Sequence, residues 1–157
     1  MDRAEDLSSR FGSPGQAPPA VSGESDPDPH LLRARFRTLA EAIPQLVWLS
    51  CSRGLWTWAS PQWLDFTGQH QAQSHGHGWL SAVHPEDRGV AMRAWEEAQE
   101  HGLLDVVLRI RRAGDGAWCR YQVCSYPVRG APGPGGREGP IHEWVGISTP
   151  AGDPPRG

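Results

Sequence analysis

Apolar residues recur along this chain in two different periods, and the period changes at clear boundaries. The first apolar segment, residues 30–43, repeats at three- and four-residue spacing through Leu32, Phe36 and Leu39. That spacing predicts an amphipathic helix, and Pro44 ends it.

Short apolar runs and two-residue alternation predict five strands, two before and three after a helical middle. The first is a continuous apolar run, which the Arg53-Gly54 turn joins to the second. Gly114-Asp115-Gly116 is a hairpin turn between the third and fourth. The predicted strands span residues 46–51, 55–59, 105–111, 118–128 and 141–148.

Three helical segments are predicted between the second and third strands. Ser60 and Pro61 begin a short helix, with the Ser60 hydroxyl accepting a hydrogen bond from a free amide of the first turn, and Gly68 ends it. The polar segment 69–78 contains a single turn, and a longer helix spans residues 85–102. The expected inward face of the longer helix consists of Val90 or Ala91, Ala94, Trp95 and Ala98.

The ends of the chain differ from this patterned middle. Residues 1–29 are rich in Pro, Gly, Ser and acidic residues and predict a disordered segment, although Asp28 and Pro29 suit the cap and first turn of the first helix. Residues 149–157 hold three prolines and two glycines and predict an irregular tail. The order of elements between these ends favours one α+β domain, residues 30–149, with a single antiparallel sheet.

Charge and cysteine content narrow the class of protein. The 157 residues carry a formal net charge of -3, with a pI of about 6.1, so bulk charge does not recruit nucleic acid or an anionic membrane. No apolar run follows the acidic N-terminus, so we expect neither a secretory signal nor a membrane span. Cys51, Cys119 and Cys124 form no metal-spaced pair, and their odd number favours reduced thiols in a cytoplasmic protein.

Tryptophan dominates the aromatic content. Eight tryptophans stand against three Phe and two Tyr, so indoles must supply much of the core volume. Two interpretations remain open at this point: a core filled by tryptophan, or aromatic walls around a flat ligand.

Four motifs in order along the chain resemble the PAS (Per-Arnt-Sim) family, in the sub-type common in bacterial sensor histidine kinases. They are Ala42-Ile-Pro-Gln-Leu-Val-Trp48, Trp63-Leu-Asp-Phe-Thr-Gly68, Gly78-Trp-Leu-Ser-Ala-Val-His-Pro-Glu-Asp87 and Glu143-Trp-Val-Gly-Ile-Ser148. A fifth piece, the strand–turn–strand from Leu108-Arg-Ile-Arg-Arg112 to Trp118, lies between the third and the last of these. The resemblance covers about residues 36–149. It implies a five-stranded antiparallel sheet in the order 2-1-5-4-3, with helices on one face and a pocket between the helices and the sheet.

Several positions depart from the family pattern. Ser60 stands where the family usually has Asn, and Cys119-Arg120 replaces the usual Arg-Trp pair. Family members usually continue into a helix that carries the signal to a kinase or cyclase. Here Ser148-Thr-Pro-Ala-Gly-Asp-Pro-Pro cannot continue as a helix, so we expect the output domain to be missing and the module to act in trans.

The resemblance implies a sensory or interaction module without catalysis of its own, bacterial and part of a two-component system. Its expected mechanism is a population shift, in which a ligand or partner biases the packing of the 31–42 helix against the sheet. A ligand-free dimerisation module and a remnant of a larger sensor histidine kinase are the alternatives. The expected partners are a second copy, through the 31–42 helix and the sheet, or a signalling protein in trans, with no nucleic acid and no membrane.

The candidate pocket residues are Trp48, Trp63, Phe66, Trp79, Val90, Trp95, Val106, Leu108, Val123 and Trp144.

Other chemistry has weak support in the sequence. The metal-like set His70, His75 and His77 lies in a glycine-containing loop without a nearby carboxylate or cysteine, and His84 reads as a helix cap. Residues 88–100 hold no histidine for haem, and no cysteine is placed for a flavin adduct, so the identity of any cofactor stays open. The chain contains no Gly-x-Ser-x-Gly motif, phosphate loop or kinase motif.

Overall fold

The computed structural model describes residues 28–152, and the chain divides into two units, residues 1–36 and 37–157. The boundary lies inside the first helix. The predicted disorder of residues 1–27 and the end of the tail, residues 153–157, lie outside the described residues.

One five-stranded sheet organises the second unit, with all neighbouring strands antiparallel and the order β2-β1-β5-β4-β3. This confirms the predicted α+β class and strand order. The strands are β1 (Leu46–Cys51), β2 (Trp56–Ala59), β3 (Leu104–Arg111), β4 (Trp118–Arg129) and β5 (Ile141–Pro150). The helices are α1 (Pro29–Ala42), α2 (Pro61–Thr67), α3 (Gln71–Ser74) and α4 (Pro85–His101), with 3₁₀ helices at Gly78–Ala82 and Pro134–Gly136 that the sequence patterns did not predict.

Helix α1 begins as predicted, since the Asp28 carboxylate accepts a hydrogen bond from the His30 amide at 3.0 Å. Its apolar spacing located the helix but not its buried side. Within residues 37–42 only Ala40 is buried, and Leu39 is 66% exposed. Leu32, in the first unit, is also exposed.

The hydroxyl of Ser60 does not cap helix α2, contrary to the prediction. It accepts instead from the Val47 amide of β1 at 3.0 Å, while the Ser60 amide donates to the Val47 carbonyl at 2.8 Å. Extended backbone at Ser60 prolongs the pairing of β2 with β1, and this draws the side chain towards the sheet. Gly68 ends the helix as predicted, in the left-handed region.

Strand β5 runs two residues further than predicted. Thr149 pairs with Gln122 and Pro150 with Tyr121, so the irregular tail predicted from Thr149 onwards is wrong at these two positions. A proline is tolerated at the end of a strand because little of the ladder remains to need its missing amide.

The hairpin turn between β3 and β4 follows the prediction. Arg112 donates from Nε and Nη2 to the Asp115 carboxylate at 3.0 and 2.6 Å. These side-chain hydrogen bonds lower the pKa of Asp115 to about 2. Gly116 has φ 73°, which the turn requires.

The core lies on one face of the sheet, and its centre is the contact between Trp48 and Gly146. The two residues are paired partners on β1 and β5, and the Trp48 side chain is 1% exposed. A methyl group at Gly146 would overlap Cε2 and Cζ2 of the Trp48 indole. Glycine at this position therefore lets the ring lie directly on the backbone of β5.

The best-buried contact between the first turn of helix α4 and edge strand β3 is made by the Asp87 carboxylate. Asp87 accepts from the Arg109 amide at 2.8 Å and from Arg109 Nε at 2.9 Å. The side-chain hydrogen bonds from Arg109 hold the pKa of Asp87 below its ordinary value of 3.8.

Among the described residues no helix combines the length and apolar character needed to cross a bilayer.

We expect Gly146→Ala to destabilise the domain by about 1–3 kcal/mol, because the added methyl must displace the Trp48 indole in a packed core. Gly114→Ala is the matched control, since a methyl there meets nothing within 4 Å. Urea unfolding followed by tryptophan fluorescence measures both. Equal midpoints for the two variants would contradict the packing described.

We expect Asp87→Asn to lower the urea midpoint at pH 7, with a deficit that shrinks in acid. The folded carboxyl has the lower pKa, so the unfolded chain binds more protons below about pH 4. The stabilisation is therefore complete above the unfolded pKa and is lost as pH falls through the folded pKa. Glu86→Gln is the control, because its 75% exposed carboxylate pairs with the same arginine in solvent. A deficit that is constant from pH 7 to pH 2 would contradict this assignment.

Candidate functional site

Three tryptophan side chains from three elements form a parallel stack in the core. The Trp48 (β1) and Trp56 (β2) ring centroids are 4.6 Å apart with planes 12° from parallel. Those of Trp56 and Trp79, the latter on the first 3₁₀ helix, are 5.2 Å apart at 9°. We call Trp48, Trp56 and Trp79 the tryptophan stack.

Two further indoles contact the stack edge-on. Trp63 of α2 meets Trp56 at 4.8 Å and 62°, and Trp95 of α4 meets Trp48 at 5.7 Å and 63°. Parallel and edge-on contacts are the two arrangements that the aromatic quadrupole favours. Five separate elements therefore meet at one aromatic cluster.

A cavity of about 10 Å³ lies within this cluster. That volume is at the lower limit of what a single water molecule needs, so the core is nearly filled. Its lining consists of Trp48, Trp56, Trp63, Trp79, Val83, Ala91, Trp95, Leu104, Val106, Leu108, Ile110, Val123 and Ser148.

Seven of the ten candidate pocket residues lie on this lining, and they are Trp48, Trp63, Trp79, Trp95, Val106, Leu108 and Val123. Phe66 packs edge-on against Tyr121 at 5.2 Å, and Trp144 against Trp95 at 5.4 Å. Val90 is 37% exposed, and Ala91 takes the inward position on helix α4. The sequence left these two positions as alternatives for the inward face. Placing Val90 in the pocket was wrong, because the helix turns Ala91 towards the core instead.

The most important lining residue that the sequence analysis missed is Trp56. Trp56 and Trp58 are two apart on a strand, which places them on the same face by simple alternation. A register shift opposite Leu49 and Ser50 puts Trp56 on the core face and Trp58 opposite Leu49. Alternation alone could not have separated them, because bulges are a property of the paired strands.

Four buried polar groups on the lining have no hydrogen-bond partner within the described part of the chain: Nε1 of Trp48, Trp56 and Trp79, and Oγ of Ser148. Each belongs to a residue less than 5% exposed. Two other buried indoles differ, since Trp63 donates to Gln69 and Ser74 at 3.1 Å and Trp144 to the Ser52 carbonyl at 3.3 Å. An unpaired buried donor costs about 1–3 kcal/mol, so these four groups are an unusual concentration.

The lining contains no titratable side chain. Tyr121, in the same core, is raised in pKa by burial, so its phenol stays neutral at ordinary pH. Cys51, Cys119 and Cys124 are free thiols on β1 and β4 and are not lining residues, and burial raises the pKa of Cys124.

Two of the histidines make hydrogen-bond contacts near their own helices. His84 caps helix α4 as predicted, its Nδ1 accepting from the Glu86 amide at 3.1 Å. His75 lies 3.2 Å from the Gln71 side chain. Residues 28–152 contain no group of three or more His, Cys, Asp or Glu side chains placed to hold a metal ion.

The face of the sheet opposite the core carries an apolar row across four strands. Cross-strand pairing aligns Trp58 with Leu49, Leu49 with Val145, and Val145 with Tyr126. Tyr126 of β4 is 53% exposed, and Val128 of β4 and Val107 of β3 are also exposed. We call Trp58, Leu49, Val145 and Tyr126 the outer row.

The chain is similar to several known proteins. A family model described as PAS fold matches residues 57–134. An uncharacterized protein, y4lL, of Sinorhizobium fredii is 39% identical over 87 residues, which are 54% of this chain and 10% of that protein. The peroxide stress-activated histidine kinase mak1 of Schizosaccharomyces pombe is 42% identical over 53 residues, 34% of this chain and 3% of that kinase.

The fold is also similar to solved structures. The PAS domain of a protein from Colwellia psychrerythraea matches with a TM-score of 0.56 and 13% identity, over 76% of this chain and 96% of that one. An identity this low shows the fold alone. The matched segments span only a small part of both sequence relatives, whose whole-protein activities therefore do not transfer to this chain.

Proposed function

Because this chain carries a domain of the PAS family, a sensory module found in histidine kinases, we propose that it senses a small molecule held at the tryptophan stack. The observation that supports this most directly is the set of four unpaired polar groups on one enclosed, apolar lining. A ligand with hydrogen-bonding atoms would pair groups that the protein leaves unpaired.

The proposed mechanism is a shift between two packings of the same core. Trp56 and Trp79 contact each other from β2 and from the first 3₁₀ helix. A ligand that enters at the stack must change that contact, and it favours whichever packing it binds more tightly. A signalling protein in the cytoplasm would read the changed surface in trans. The domain performs no chemistry of its own in this proposal, which is supported by a lining without titratable side chains.

Native mass spectrometry of the freshly purified chain tests ligand sensing. We expect a stoichiometric extra mass that is lost under denaturing conditions, because a ligand pairing buried donors dissociates slowly. The control is the Trp56→Ala variant prepared in the same way, in which the middle ring of the stack is removed. An extra mass that persists in this variant, or a bare chain that also binds nothing in a small-molecule screen, would contradict the proposal.

A second function is supported by a different observation. The core is nearly filled by its own side chains, and the outer row offers apolar side chains on the opposite face of the sheet. A ligand-free domain could pair with a second copy through this face, and Leu39 of α1 is a further exposed apolar side chain. Tyr126 has the largest exposed fraction of the four residues in the row, so it would bury the most surface on pairing.

We expect Tyr126→Asp to shift such a dimer towards monomer by at least about tenfold in dissociation constant, since a carboxylate would be buried without a partner. Sedimentation velocity over a concentration series measures this. Arg137→Asp is the control for a new carboxylate at an exposed loop position. A wild-type chain that is monomeric at all concentrations would exclude the dimerisation function.

A further inference from the structure

We propose that a surface cleft among the short helices is a second ligand site, for a small uncharged molecule with several hydroxyl groups. We call this feature, with a volume of about 420 Å³, the polar cleft. Its lining consists of residues 67–69, Gln73, His77, Gly78 and Ser81. None of them lines the core cavity, so the proposal goes beyond the proposed function and needs no ligand in the tryptophan stack.

The carboxamide of Gln69 holds the walls of the polar cleft together. Its Oε1 accepts from Trp63 Nε1 of α2 at 3.1 Å and from the Ser74 hydroxyl of α3 at 2.8 Å. Its Nε2 donates to the Gly78 carbonyl at 3.1 Å and to the Ser81 hydroxyl at 2.8 Å, both on the first 3₁₀ helix. Four hydrogen bonds use the whole capacity of this side chain. Gln69 therefore fixes three elements around the cleft and leaves ligand contacts to its neighbours.

Helix α3 and the first 3₁₀ helix also touch directly at the cleft. A methyl group at Gly78 would overlap the Gln73 carbonyl oxygen, so glycine is what lets the two backbones meet. The polar cleft is thus shaped by backbone contacts as well as by side chains. Its volume lies within the range of about 300–1,000 Å³ that is usual for small-molecule sites.

The hydrogen-bonding atoms that stay free define the ligand. Gln73 accepts from the His70 amide at 2.7 Å through its Oε1, and its Nε2 donates to nothing within residues 28–152. The exposed His77 ring makes no hydrogen bond within the same residues. A carboxamide nitrogen only donates, whereas a neutral imidazole donates from one nitrogen and accepts at the other. A ligand must therefore both accept and donate, which a hydroxyl group does with a single atom.

The residue types of the lining exclude a charged ligand. The polar cleft is lined by no Asp, Glu, Lys or Arg, so an ion there would lose hydration without gaining a charged partner. A hydroxylated molecule instead exchanges hydrogen bonds with water for hydrogen bonds with Gln73 and His77. The expected class is therefore an uncharged polyol.

Gln69 also connects the polar cleft to the core. Trp63 donates from Nε1 to the Gln69 Oε1, and the Trp63 ring packs edge-on against Trp56 at 4.8 Å. A molecule bound beside Gln69 changes the surroundings of that N–H group. Binding at the surface is therefore detectable at the edge of the aromatic cluster.

Three probes test the ligand class by titration of the ¹⁵N-labelled full chain at pH 8, followed at the Trp63 indole N–H resonance. The probes are myo-inositol, with six hydroxyls on a six-membered ring, cyclohexanol, with one hydroxyl on the same ring, and inorganic phosphate. We expect a saturable shift with myo-inositol and at least about tenfold weaker binding of cyclohexanol, because the latter offers a single hydrogen-bonding group. Phosphate should not bind.

A matched pair of histidine variants locates the site. His77→Phe keeps a ring but removes both nitrogens, and it should weaken myo-inositol binding about fivefold. His101→Phe is the control, since His101 is also exposed but lies at the end of helix α4, off the lining. Neither ring makes a hydrogen bond within residues 28–152, so both variants should keep the wild-type urea midpoint.

The outcomes separate this proposal from ligand sensing at the tryptophan stack. No saturable shift with myo-inositol, equal binding of cyclohexanol, binding of phosphate, or an unchanged dissociation constant in His77→Phe would each overturn the polar cleft as a polyol site. The stack ligand would stand in all these cases, because native mass spectrometry of the wild-type chain and of Trp56→Ala decides it. A bare chain in that measurement would count against the stack ligand and leave the titration result unchanged.

Discussion

The indole of Trp48 lies against the backbone of Gly146, and the arrangement of the core depends on that contact. Glycine on the middle strand removes the side chain that would otherwise fill this space. The large ring can then enter the centre of the sheet's inner face, where it meets Trp56 face-on and Trp95 edge-on. Strand β2 and helix α4 thus pack against one ring, and the remaining indoles are arranged around it.

This tryptophan-rich core fills its space more completely than it pairs its hydrogen-bond donors. Indoles fill space efficiently, which leaves a cavity of only about 10 Å³. Each also brings a donor, and three of these donors point to no partner within residues 28–152. Phenylalanine would fill similar space without this cost. The excess of unpaired donors is therefore the feature of this core that packing alone does not explain, and it connects the fold to the proposed ligand.

Sequence reasoning was strongest where a single residue controls the local backbone. Gly68, Gly102 and Gly116 lie at positive φ where turns and helix ends were predicted. It was weaker where a side chain had a choice of partner. The Ser60 hydroxyl bonded to strand β1 instead of its own helix, because the neighbouring strand offered an amide at 3.0 Å. The inward position of helix α4 was left open between Val90 and Ala91, because periodicity locates the apolar stripe of a helix only to within about one residue.

The sequence by itself determined the order of the α-helices and strands, the strand order through its resemblance to PAS domains, and seven of the residues around the cavity. These follow from local periodicity, turn residues and motifs, all of which act over a few neighbouring positions. Only the tertiary structure decided that Trp56 faces the core, that the tryptophans stack nearly parallel, and that their donors are unpaired. Those properties arise from strand register and ring orientation, which are set by contacts between residues far apart in the chain.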